Sequence, residues 1–149
     1  MHDVIPTLPD SDRSLLAASL ACFAIAGVAT TATDGVELTI GATALAIGGV
    51  YGVARYAQSV TRRTLAHTAL GLWLSFIGIA GTHAVGLETI GAVAPGPAAV
   101  AVVALTAITW ATLLAAAGAT LFLGCREYGS PAPADEQVLD GDASDYSTR

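Results

Sequence analysis

The stretch PAAVAVVALTAITWATLLAAAGATLFLGC, residues 97–125, runs for 29 residues without one charged side chain. At about 1.5 Å per residue, a helix of that length reaches about 43 Å, whereas the hydrocarbon core of a bilayer is about 30 Å thick. The stretch reads as a membrane-crossing helix that tilts or begins in the outer headgroup region. A strand reading fails, because backbone groups in lipid need internal partners and the run lacks the alternation of a barrel strand. Three further uncharged runs precede it, at residues 14–32, 38–54 and 64–87. Each is close to the roughly 17–25 residues that a span requires. The second is the weakest helix former, because Gly41, Gly48, Gly49 and Gly52 fall inside it. The fold class expected is all-α, a four-helix transmembrane bundle.

The composition agrees. Of 149 residues, 54% are hydrophobic and 12% charged, with a mean hydropathy of +0.64. A soluble domain carries about 25% charged residues. A water-soluble globule, a disordered chain and a nucleic-acid binder are all poor fits. The net charge of −6 belongs entirely to the ends. Residues 14–125 hold three acids and three arginines, while residues 1–13 and 126–149 hold nine acids and three arginines. The organisation expected is a short N-terminal segment (1–13), a membrane domain (14–125) and an acidic tail (126–149). The tail contains Pro131, Pro133 and few large apolar groups, and it is read as disordered.

If the spans alternate, Arg13, Arg55, Arg62, Arg63, Arg126 and Arg149 share one side, and Asp34, Glu37 and Glu88 take the other. Arginine near span ends favours the cytoplasm. The location expected is the plasma membrane, with both termini cytoplasmic. Asp3, Asp10 and Asp12 precede the first run, and a cleaved signal peptide wants a positive start, so the first span is read as retained. Every basic residue other than histidine is arginine and the chain has no lysine, a usage that resembles that of extreme halophiles.

Helices in lipid associate through close backbone approach and small residues. The second span carries Ala44, Gly48 and Gly52 at four-residue spacing, and the fourth carries Ala107, Ala111, Ala115 and Ala119. The first has Ala18, Cys22 and Ala26, and the third has Gly71 with Ser75. Ala44, Gly48, Gly52, Ala107, Ala111 and Ala115 are the candidate helix-packing residues. The span threonines Thr39, Thr43, Thr106, Thr109, Thr112 and Thr120 are expected to bond back to carbonyls one turn earlier. Trp73 and Trp110 fall inside spans as packing residues, whereas Tyr51, Tyr56 and Tyr128 suit an interfacial aromatic belt.

The two halves also resemble each other. GVELTIGA at residues 35–42 matches GLETIGA at 86–92, and FAIAG at 23–27 matches FIGIAG at 76–81 with one gap. The repeat points to two tandem helical hairpins in parallel orientation, related by an axis along the membrane normal.

No Asp, Glu, Lys or Arg lies deep in a span. The ionisable exceptions are His67 and His83, about 24 Å apart on one helix, so they cannot share a metal or haem. His83 with Glu88 and Glu37 forms a candidate outer polar cluster for a cation or a quinone headgroup. Cys22 and Cys125 differ in depth, which excludes pairing within the chain. The sequence has no P-loop, HExxH or GxSxG pattern, and no cofactor is expected.

The segment GGVYGVARY at residues 48–56 resembles the GGxxGAxxRY segment of the small four-helix fluoride channels. It covers nine residues, its glycine-to-arginine spacing is one short, and it falls in the second span instead of the first. The family's Thr- and Phe-rich filter has no match near residues 75–82, so no functional residue carries over. The function expected is that of a small accessory or assembly component, without enzymatic activity, that meets lipid, other membrane helices or copies of itself. The alternatives are an oligomeric channel or transporter, and a quinone- or redox-linked subunit.

Overall fold

The computed structural model describes residues 10–32, 35–86, 89, 92 and 96–129. Four helices are long and apolar enough to cross a membrane: α1 (Asp10–Ala32), α2 (Val36–Ser59), α3 (Arg62–Val85) and α4 (Ala98–Tyr128). Among the described residues there is no strand. By length and composition this is a multi-pass membrane protein.

Each helix extends beyond one end or both ends of the uncharged run that marks it, although α3 stops at Val85, before its run ends at residue 87. α2 continues through Arg55 and Tyr56 to Ser59, and α4 continues through Arg126 and Glu127 to Tyr128. An intrahelical hydrogen bond is available to any backbone, so polar residues at the membrane rim do not end a helix. What ends these helices is local. Val60 turns extended after α2 while its N–H still donates to the Tyr56 carbonyl, and Thr61 then caps α3 by accepting from the Thr64 N–H at 3.2 Å. Gly86 closes α3 at a φ of 94°, which a side chain would resist. Pro97 starts α4, and its carbonyl accepts from Val100 at 2.9 Å. The tail after residue 129 and the segment before Asp10 lie outside the described residues, as does Arg149.

α1 packs along both α2 and α4, and α2 also touches α4, so these three form a wedge. The wedge closes around Phe23, Val53, Tyr56, Ala57, Ala111, Ala115 and Ala119, and Leu65 and Ala69 of α3 join the same core. α3 lies along α4 and makes no comparable contact with α1 or α2. A twofold axis relating the hairpins would map the α1–α4 contact onto an equal contact between α3 and α2. That second contact is much the weaker of the two, so the packing departs from the symmetry that the repeat predicts. The two hairpins differ in how they are held, as the contacts between α3 and α4 make plain.

Candidate functional site

The candidate packing residues divide between two faces of α2. Ala44 and Gly48 are exposed, and a methyl group added at Gly48 would meet nothing within 4 Å. The face that packs inside the chain is rotated by one residue. Gly49 lies under the Phe23 ring, and Gly52 lies against the Ser19 hydroxyl. A Cβ at either position would overlap its neighbour, so α1 and α2 approach as closely as glycine permits. On α4, Ala111 and Ala115 are buried, whereas Ala107 is half-buried beside Ala24, Ile25 and Val28 of α1. A further close approach pairs Gly27 of α1 with Trp110 of α4, where a Cβ would collide with the start of the indole side chain. The small-residue spacing on α1 picks out Ala18, Cys22 and Ala26, of which Ala26 is buried. The glycine four residues before Thr31 was the more useful signal, because a bulky aromatic on a facing helix needs a gap opposite.

The exposed side of α2 carries Gly41, Ala44 and Gly48 in one row, with Ile40, Ile47 and Tyr51 beside it. Gly41 and Gly48 both have open space where a side chain would stand. α3 repeats this on its outward side, where Gly71, Gly78 and Gly81 are equally open among Leu70, Leu74 and Ile77. The chain thus presents bare helical backbone on two surfaces that its own helices leave uncovered.

The span hydroxyls are occupied. Thr39, Thr43, Thr106, Thr109, Thr112 and Thr120 each donate to a carbonyl four residues earlier, at 2.7–3.1 Å. This fixes the direction of three contacts that tie α3 to its neighbours. Because Thr109 donates to the Leu105 carbonyl, its oxygen accepts from His83 Nε2 at 3.0 Å. Thr120 donates to Ala116 and accepts from Trp73 Nε1 at 3.0 Å. Thr68 donates to Thr64 and accepts from the Tyr56 hydroxyl at 2.9 Å. His83 is therefore engaged with Thr109 of α4. No hydrogen bond or ion pair joins it to Glu37, which is exposed in the first turn of α2, and Glu88 lies outside the described residues.

Tyr56 departs from the expected aromatic belt. It is buried, 6% exposed, with its hydroxyl satisfied by Thr68, whereas Tyr51 and Tyr128 are 65% and 96% exposed. The arginines also do more than mark a side. Arg126 Nη1 donates to the carbonyls of Ala57 and Val60, at 2.8 and 3.0 Å, and so caps the end of α2 from α4. Arg62 pairs with Glu127 across the first turn of α3 and the last of α4. Among the described residues, no group of three His, Cys, Asp or Glu side chains gathers as a metal site would require. Cys22 is half-buried and Cys125 exposed, and both are free thiols.

These features define a class, a four-span membrane protein with small-residue helix surfaces. Beyond that class, no family model matches the chain, and no curated protein or solved structure is detectably similar to it.

Proposed function

We propose that this chain is a small accessory or assembly component of a membrane, without enzymatic activity of its own, that binds the transmembrane helices of another protein or a second copy of itself. The observation that carries the reading is the open row Gly41, Ala44 and Gly48 on α2, which none of the four described helices covers. In lipid, such a row offers close backbone approach to an incoming helix, which is the main source of association where hydrophobic drive is absent. The location that suits it is the plasma membrane, with the arginine-rich ends of the helices in the cytoplasm.

The committed threonines support this reading over a channel, because hydroxyls that bond their own helix do not need a polar pathway beside them. A quinone- or redox-linked role draws less support, since His83 is held by Thr109.

The test is site-specific photocrosslinking in native membranes. A crosslinker at Gly48 should join the chain to a discrete membrane protein or to itself, and one at the buried Val53 should give only links within the chain. Gly48→Leu should abolish the intermolecular product without lowering the thermal stability of the purified chain. A Gly48 probe that labels only lipid would defeat the proposal.

A further inference from the structure

At the arginine-rich end of the bundle, a groove of about 380 Å3 lies between α2 and α4. Ala54, Ala57 and Phe122 make its apolar wall, and Gln58, Cys125 and Arg126 line it at the last turns of the two helices. Arg126 is committed to the Ala57 and Val60 carbonyls, so it belongs to the frame of the groove and offers no spare charge. An available charge stands beside the groove at Arg55. That side chain is exposed and makes no hydrogen bond or ion pair among the described residues. It lies three residues before Gln58, which makes the two neighbours on the helix surface.

The chain that follows α4 matches this groove. Residues 130–149 lie outside the described residues, and their sequence holds one pair of adjacent large aliphatic side chains, Val138 and Leu139. Asp135, Glu136 and Asp140 bracket that pair. An apolar pair between acids complements an apolar wall beside an unpaired arginine. The length also suits. Val138 comes nine residues after Gly129, a reach of up to about 30 Å, whereas Cys125 of the groove lies only one turn before Gly129. An acid of this end already meets an arginine, since Glu127 pairs with Arg62. Tethering means that a weak contact suffices, because a short linker holds its segment at an effective concentration in about the millimolar range.

We propose that residues 135–140 fold back over this groove, with Val138 and Leu139 against Ala54, Ala57 and Phe122 and the flanking acids at Arg55. The chain thereby covers its own arginine-rich end. The proposal concerns the chain's own tail and does not depend on a membrane partner at Gly48.

Cys125 lines the groove as a free thiol and supplies the test. In the purified full chain carrying Cys22→Ala, a second thiol is introduced by Gln137→Cys or by Ser147→Cys. Mass spectrometry then follows disulfide formation with Cys125 under copper–phenanthroline. The loops closed are of 12 and 22 residues. For a free tether, the shorter should close only about two to three times faster. Docking should raise that ratio to about tenfold or more. Val138→Ser combined with Leu139→Ser should return it to the free-tether value, and Arg55→Gln should lower it about threefold, as expected for loss of one exposed ion pair. Both sets of substitutions fall on the tail or on an exposed side chain, so the fold is not at stake. A ratio at the free-tether value in the unsubstituted tail would overturn the proposal and leave the groove to lipid. So would a high ratio that survives the Val138 and Leu139 changes, or one that Arg55→Gln leaves unaltered. Disulfides formed between two chains in place of within one would overturn it as well, by giving the groove to the tail of a second copy.

Discussion

Where α1 meets α2, Gly49 and Gly52 leave room for Phe23 and Ser19, and the helices touch through the absence of side chains. Where α3 meets its neighbours, Tyr56, Trp73 and His83 reach threonines across the gap, and the helices touch through side chains that are present. Only Leu65 and Ala69 of α3 are buried, both towards its arginine-rich end. The wedge of α1, α2 and α4 is therefore a packed unit, and α3 packs along α4, adds Leu65 and Ala69 to the shared core, and is further tied by three hydrogen bonds and an ion pair. Packing of the first kind is intolerant of added atoms. Attachment of the second kind is worth little per bond, because an interhelical hydrogen bond in a membrane averages about 0.6 kcal/mol.

The contrast is sharpest at two neighbouring glycines. Gly49→Leu drives a branched side chain into the Phe23 ring and should cost about 3 kcal/mol, since the buried ring fills the space opposite. Gly27→Leu should cost a similar amount against Trp110. Thermal unfolding or denaturant titration in detergent measures both. If either variant unfolds like wild type, α1 does not pack on its neighbours through glycine contacts.

Next in size is Arg126. Arg126→Gln withdraws the charged donor from the Ala57 and Val60 carbonyls at the end of α2, and should cost about 1–2 kcal/mol. Hydrogen exchange would localise the effect to the last turn of α2. Exchange that rises instead along the whole of α3 would mean that Arg126 holds the bundle and not the cap.

Much of this contrast could not be read from the sequence, for a physical reason. Uncharged runs mark spans because charge is costly in hydrocarbon, so the four helices and their order were legible. Their ends run on for three to five residues past the uncharged stretches at Arg55 and Arg126, because helices continue through the polar rim. The inward face of each helix was harder. In water a polar face points outward and identifies the other as core, but in lipid both faces of α2 are apolar. Gly48 and Gly49 have the same composition, and only the positions of Phe23 and Ser19 on α1 decide between them. The same limit hid the Arg126 cap and the inward turn of Tyr56, which depend on which helix ends adjoin. Glu127 was assigned to the tail by its charge, although α4 includes it and Arg62 pairs with it. The threonines were legible because their partner lies on the same helix, one turn back, whatever the tertiary fold.

Smaller effects probe α3. Thr120→Val and Thr109→Val each remove one acceptor and should each cost about 0.6 kcal/mol. A double-mutant cycle of Thr120→Val with Trp73→Phe should show coupling of that size, while Thr120→Val with Gly49→Ala should show none, because the second pair spans the two kinds of contact. Equal coupling in both cycles would mean that α3 and the wedge unfold as one packed body.

The smallest expected effect is the most informative about function. Gly48→Leu adds the same atoms as Gly49→Leu one position away, into space that holds nothing within 4 Å, so the fold should lose less than about 0.5 kcal/mol. A selection for stability alone would accept leucine there, since glycine inside a helix is about 1 kcal/mol worse than alanine. A bare backbone that costs stability and faces open space among the described residues has a ready explanation if another helix lies against it. The comparison to make is between the two glycines under two readouts. Gly49→Leu should fail in isolated stability, and Gly48→Leu should fail only in association within the native membrane. A Gly48→Leu chain that is stable and still associates fully would move the contact surface to α3, where Gly71, Gly78 and Gly81 are equally open.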